Sequence, residues 1–442
     1  MNDASLNNND GRGRGVKRRR VLAAAGVTAV AGLGGALLRP GDNGGPYSEY
    51  FRVLNQQLKR SGPMRPVMVI DLDRVDHNLA LVQDSLARTG KHYRIVEKSL
   101  PCMKLLEYVS AKSGSKRLMS FHQPFLNHDA RQMPDADLLL GKPLPVRSAE
   151  RFYAQHRGPF DPQRQLQWLI DTPERLEQYR QMALSLGTQL QVNIEIDVGL
   201  HRGGVDSNAM LGQMLAIIAA HPEQLSFSGF MGYDAHVGMG VPAILGSPET
   251  LLDKAMALYQ GYVDFARSQY PQLWQSGLTL NTGGSPSYRL HENEQLSTEV
   301  SVGTALLKPS HYDIPTLAGH LPAAFIATPV IKAEGEIKLP ALDDKSKIFS
   351  WWDVNQRQTY FVYGGYWRAE YESPKGLQFN ANFGHSANQE IVNGSPATGL
   401  AVDDHVFLRP EISESVLLEF GDLLVMRGGR IIDSWPVMPQ SV

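Results

Sequence analysis

Leu190-Gln191-Val192-Asn193-Ile194-Glu195-Ile196-Asp197-Val198-Gly199-Leu200-His201-Arg202-Gly203-Gly204-Val205 holds one repeat of a fold in full view: a short apolar run, then a tight glycine-bearing loop. The helix-patterned stretch Ser207 to Ile218 follows it. A strand buried on both faces reads as a near-continuous apolar run, and a helix placed between two such strands makes their pairing parallel. The same alternation extends both ways from this repeat. Upstream lie Pro66–Asp71, His92–Val96, Arg117–Phe121, Ala136–Gly141 and Leu166–Ile170, with a helical pattern at Val75 to Ala87. Downstream lie Leu225–Phe230 and Leu278–Asn281. Together these are eight candidate strands, and eight β/α repeats predict a (β/α)8 barrel of the TIM type. An open doubly wound sheet is the alternative; the lack of a Gly-rich dinucleotide fingerprint after the first strand counts against it.

After about residue 315 the helical periodicity fades. Alternating runs such as Gln358–Tyr363 and Leu423–Met426, with turns at Gly364-Gly365 and Gly428-Gly429, predict a closing β-domain. At the other end, residues 1–20 are polar and finish in a basic cluster, Arg12, Arg14, Lys17, Arg18, Arg19 and Arg20. The uncharged, Ala- and Gly-rich Val21 to Leu38 comes next. This layout is that of an export signal, and Lys-Arg-Arg-Arg-Val-Leu resembles the twin-arginine kind, which would make the export machinery a partner and the location periplasmic. A retained membrane tether is the alternative, although the segment falls slightly short of the roughly 20 apolar residues a span needs. The expected domains are 1–45 for signal and linker, 46–314 for the barrel and 315–442 for the β-domain. The net charge of −2 and the scattered basic residues beyond the N-terminus give no reason to expect nucleic acid. The single cysteine, Cys102, rules out an intrachain disulfide and a Cys-rich zinc site.

Barrel chemistry sits at the C-terminal ends of the strands. The second candidate strand ends in Glu97-Lys98-Ser99. A lysine there is either a rim residue or a desolvated amine able to form a Schiff base. The sixth runs into the Asp197–Val205 loop, where Arg202 between small residues allows close approach to a planar ligand; a plain βα turn with a surface arginine is the other reading. The seventh ends in Gly232-Tyr233-Asp234-Ala235-His236, offering Tyr233 and His236 as acid–base groups. The eighth ends in Asn281-Thr282-Gly283-Gly284-Ser285, where backbone N–H groups can meet a phosphate, unless this is only a Gly-rich turn.

The series of lysine, arginine loop, glycine loop and β-domain resembles the fold-type III pyridoxal phosphate (PLP) enzymes related to alanine racemase, most of all the D-threonine aldolase and D-serine dehydratase branch. The matching pieces are Met68–Asp73 with Asn78, Arg94…Lys98-Ser99, Glu195–Gly199 with Arg202–Val205, Tyr233, Thr282-Gly283-Gly284, Thr298-Glu299…Gly303 and Arg427–Val437. The resemblance implies that Lys98 holds PLP covalently and that Arg202 lies near its ring. It implies that Thr282, Gly283, Gly284 and Ser285 hold the phosphate, with Tyr233 and His236 near an amino-acid substrate, in a homodimer. It implies a lyase for D-amino acids with a β-hydroxyl; a racemase is the alternative, with a second base sought among Tyr360, Tyr363 and Tyr366. A PLP- or ligand-binding protein without catalysis is a reading of another class. The chain departs from that branch where a metal pair is usual: Pro410-Glu411-Ile412-Ser413-Glu414 stands there. No metal ligand is assigned, a divalent metal is doubtful, and only a rearranged site from Glu414, Asp404, His405 or His385 would restore one.

Overall fold

The computed structural model describes residues 39–239, 244, 246–340 and 346–441. The stretch read as an export signal, residues 1–38, lies outside the described residues. The first strand, β1 (Val67–Asp71), is followed by eight parallel strands that close a barrel. These are β2 (His92–Val96), β3 (Arg117–Ser120), β4 (Asp137–Leu140), β5 (Leu166–Ile170), β6 (Leu190–Glu195), β7 (Leu225–Gly232), β8 (Thr279–Thr282) and β9 (Glu299–Val302). Pairing of His92 with Glu299 through Ile95 with Val302 seals the last strand to the first. Helices connect most of the strands, and Thr172, Ser207 and Ser247 cap three of them by accepting a backbone N–H at the first turn.

The barrel class is as expected, but its strand count is reached differently. β1 is not a barrel strand. It pairs antiparallel with β10 (Ala324–Glu334) and parallel with β16 (Asp422–Arg427) in the second sheet. All five of its residues are buried, so its apolar run suits either sheet equally. The strand that takes its place, β9, was not marked by an apolar run. Its sequence Glu-Val-Ser-Val turns two polar side chains into the barrel, where Glu299 meets Arg94 and Ser301 meets Asn281. A polar barrel interior erases the signal that identified the other strands.

The second sheet runs β13 (Gln378–Phe379), β14 (Gln389–Gly394), β11 (Gln358–Tyr363), β10, β1, β16 and β17 (Arg430–Pro436). Off that path, β15 (His405–Pro410) pairs with β10 and β12 (Ala369–Ser373) pairs with β15. Gly428 and Gly429, at φ 57° and 70°, make the tight hairpin between β16 and β17. The boundary expected at residue 46 is therefore corrected. The helix Glu49–Ser61 and β1 belong to the sheet domain, with Phe51, Leu54, Leu58, Val67 and Val69 packed on Phe325, Phe407 and Leu424. Met68 and Ile70, on the other face of β1, enter the large core shared with the barrel. One strand thus joins both hydrophobic cores by the period-two alternation of its side chains.

Candidate active site

The barrel opens at the C-terminal ends of its strands into a cleft of about 530 Å³, mouth included. Lys98, Arg202, Tyr233, Gly283, Gly284 and Ser285, all read from the sequence, line it. Lys98 follows β2 in a one-turn helix, Glu97–Ser99. Its ammonium lies 4.8 Å from the Phe121 ring centroid and 2.7 Å from Glu414 Oε1. Glu414 comes from the sheet domain, at the start of the short helix Glu414–Leu418. Arg202 lines the same cleft, with its guanidinium carbon 4.8 Å from the Tyr233 ring centroid. Burial pushes the Tyr233 phenol above its ordinary range, and the charge of Tyr312 adds to this. Nearby Glu195 is pushed up to about 7 by burial and the charge of Asp171, against the opposing pull of Arg202.

The glycine loop is fitted to its neighbours. A Cβ on Gly284 would lie 2.6 Å from the Tyr233 ring, and one on Gly303 would lie 2.6 Å from the Val96 carbonyl oxygen. Ser285 Oγ accepts from the N–H of Ala305 at 2.9 Å and of Gly303 at 3.4 Å, which docks the loop onto the segment after β9. Thr282 does not reach the cleft. It is buried one residue earlier, and its hydroxyl donates to the Gly232 carbonyl at 3.0 Å, tying β8 to β7.

His236 is a correction. It sits in the one-turn helix Ala235–Gly238 and does not line the cleft. Gly238 is the residue that meets the glycine loop, since a Cβ there would fall 2.2 Å from the Pro286 carbonyl oxygen. Helical residues two apart point to nearly opposite sides. His236 accordingly faces the other way, with Nε2 3.5 Å from where a Cβ on Gly199 would be.

Sequence reading missed what stands behind the loop. Ser287 Oγ donates to Asp234 Oδ1 at 2.6 Å, Asp234 Oδ2 meets His291 Nε2 at 2.6 Å, and His291 Nδ1 lies 3.3 Å from Glu294. Burial alone would push His291 down, but the charge and hydrogen bond of Asp234, with the hydrogen bond of Glu294, hold it at about 9. His291 is therefore an imidazolium clamped between carboxylates at neutral pH. Only the partners' meeting in space reveals this; no local spacing could.

A second missed feature lies beside Lys98. The side chains of Glu97 and Asp129 are fully buried next to each other; Glu97 Oε2 accepts from Ser120 Oγ at 2.5 Å, and the other carboxyl oxygens of the pair lack a hydrogen-bond partner. Burial first, and then the charge of Asp129, raises Glu97; burial raises Asp129 as well. The folded state thus binds a proton that the unfolded chain releases above the ordinary carboxylate range near ~4. Stability falls as pH rises from that range through the raised folded-state values. Asp129→Asn removes one ionisation, so its stability relative to wild type should improve from pH 5 to pH 8 by about 1–2 kcal/mol. Urea midpoints at the two pH values check this, and a pH-independent difference would show that no proton is shared.

The residues considered for a rearranged metal site are dispersed. Asp404 pairs with Lys59 at 2.7 Å, and buried His405 lies against Asn55. His385 Nδ1 meets Glu390 at 2.6 Å, with its ring stacked between Phe379 and Tyr366. Only Glu414 enters the cleft, and among the described residues no group of three or more His, Cys, Asp or Glu could hold a metal ion. Of the three tyrosines considered as a second base, Tyr360 is buried with its hydroxyl 2.7 Å from Thr398 Oγ1, while Tyr363 and Tyr366 are exposed on the sheet domain.

Residues 70–311 match the family model of the alanine racemase N-terminal domain. The chain belongs to that family. The likeness to the alanine racemase fold extends past the matched span into the sheet domain. The crystal structure of D-threonine aldolase from Filomicrobium marinum aligns with TM-score 0.64 at 14% identity, over 85% of this chain and 97% of that one. D-threo-3-hydroxyaspartate dehydratase from Delftia sp. HT23 aligns with TM-score 0.64 at 15% identity, over 84% and 97%. Alanine racemase from Bacillus anthracis aligns with TM-score 0.63 at 13% identity, over 85% and 98%. No curated protein matches the sequence. Barrel followed by sheet domain is the architecture of the fold-type III PLP enzymes, as the strand-end series implied.

Proposed function

We propose that this chain is a PLP-dependent lyase acting on D-amino acids that carry a β-hydroxyl. The observation that carries the reading is the cleft itself, lined by one lysine, one arginine and a glycine loop, on a barrel of this family. The residues fit the cofactor. Lys98 supplies the amine for its carbonyl carbon, and Arg202 lies where a flat ring could rest beside Tyr233. Gly283, Gly284 and Ser285 line the cleft where they would hold a phosphate, and the loop is packed too closely for side chains, since a Cβ would meet Val300 at Gly283 and the Tyr233 ring at Gly284. Bound PLP supplies an electron sink for the pair released when a bond at the amino acid's Cα breaks. The protein decides which bond that is by orientation and by where its proton-carrying groups stand. Tyr233 and Tyr312 line the cleft, and both phenols, already protonated at neutral pH, are raised further above their ordinary range by burial. Each is thus a donor to an oxygen developing charge in the substrate.

The D-threonine aldolase and D-threo-3-hydroxyaspartate dehydratase likenesses support the β-hydroxyl class. A racemase is the second reading. Tyr366 favours it, exposed at 68% and held at φ 60° on the sheet domain, a place from which it could enter a partner subunit's cleft. Incubation with D- and L-threonine and serine separates the two. Aldehyde or keto acid from the D-isomers is expected, whereas loss of optical rotation without such product would establish racemisation. Retention of PLP without any turnover would leave a binding protein. We further propose a periplasmic location, supported by the basic cluster before Val21–Leu38, and a homodimer, the assembly common in this family.

A further inference from the structure

We propose that Glu414 sets side-chain specificity in the cleft, favouring substrates whose β-substituent donates a hydrogen bond, a hydroxyl or an ammonium, and rejecting those with a carboxylate there. The inference rests on the PLP reading of Lys98. Glu414 Oε1 lies 2.7 Å from Lys98 Nζ, and the two side chains are 39% and 40% exposed, so both face the open cleft. Its position is built in: Ser413, Val416 and Leu417 around it are fully buried and fix the short helix to the sheet domain. Among the lining residues the charged groups are Lys98, Arg202 and Glu414.

The cofactor would take the Lys98 amine in the resting protein, and a substrate amine that displaces it sets the lysine free again beside Glu414. Glu414 is the anionic group of the cleft in both situations, and the other cation, Arg202, is directed to the Tyr233 ring. The carboxylate is an acceptor beside the reacting centre, and its charge reaches the half-buried hydroxyls of Tyr233 and Tyr312. A substrate hydroxyl or ammonium satisfies it. A substrate carboxylate placed there meets a like charge in a partly desolvated site, and such juxtaposition is the usual means of excluding a wrong partner.

The test uses the full-length protein loaded with PLP. Dissociation constants for D-serine, D-2,3-diaminopropionate and D-aspartate are read from the first spectral shift in a stopped-flow mixer, before turnover. The expected result is at least about tenfold tighter binding of the first two than of D-aspartate. In Glu414→Gln, which keeps shape and removes charge, that ratio should shrink by about fivefold or more. Wild-type binding of D-aspartate as tight as that of D-serine would overturn the proposal without any variant, and so would an unchanged ratio in Glu414→Gln. Absence of a borohydride-fixable chromophore on Lys98 would overturn the PLP reading and this inference with it. A chromophore without the selectivity overturns this inference alone.

Discussion

Lys98→Ala is expected to abolish both the visible absorbance of the PLP-loaded protein and the covalent retention of the cofactor after borohydride reduction. The argument is chemical. Among the residues lining the cleft, Lys98 supplies the primary amine, and a Schiff base requires one. In the wild type, reduction should leave one cofactor mass on the peptide that carries Lys98. The neighbouring Lys104 and Lys116 lie outside the cleft, with Lys104 paired to Asp433 and Lys116 to Asp135, and should stay unmodified. Lys98→Arg is the informative companion. It can keep a charge opposite Glu414 yet forms no Schiff base, so it too should lack the band. Turnover in either variant should fall by at least about 10³-fold. A visible band that survives Lys98→Ala would move the cofactor to another lysine and dissolve the assignment of the cleft.

The second large effect concerns stability. Arg94, on β2, is fully buried inside the barrel. Its Nε and Nη2 meet the two oxygens of Glu299 at 2.5 and 2.9 Å, and Nη2 also reaches Asp137 at 3.1 Å. Its Nη1 donates to the carbonyls of Leu118 and Asp137, each at 2.9 Å. One guanidinium on β2 therefore bonds three other barrel strands, β3, β4 and β9. Arg94→Leu leaves Glu299, 1% exposed, with Arg117 as its remaining cation and Asn281 as a neutral donor. Removing one partner of a buried pair costs about 3–5 kcal/mol, because the other charge stays buried. Denaturant unfolding should show a loss of that size. The double variant with Glu299→Leu should recover part of it, since replacing both partners is far less costly than replacing one. A loss below about 1 kcal/mol in the single variant would mean that water or Arg117 carries the compensation.

How much of this was legible in the sequence depends on how local each signal is. Lys98, Arg202, Tyr233 and the glycine loop are strand-end features, and a strand end is visible from a few residues on either side. The side-chain direction of His236 was not, because it depends on how one helical turn sets Gly238 against Pro286. Glu414 could be suspected only as a metal ligand; its salt bridge to Lys98 spans 316 positions of the chain and needs the packing of the sheet domain on the barrel. β1 was recognised as a strand but placed in the wrong sheet, since complete burial looks alike in both. β9 was hidden by Glu299 and Ser301, the polar residues with which the barrel interior neutralises Arg94 and accepts a hydrogen bond from Asn281.

The placement of β1 also bears on how the protein is made. Met68 pairs with Leu423, so a strand translated before the barrel waits for one translated after it. At ~5–20 residues per second, the 355 positions that separate them take roughly 20–70 seconds to synthesise. The barrel strands are all translated in that interval, while the central strand of the sheet has neither neighbour until β10 and β16 emerge. Glu414 is translated just before β16. All of the barrel strands and Lys98 are thus made before the domain that confronts this lysine with a carboxylate, and the core the two domains share can be completed only once that domain has been made.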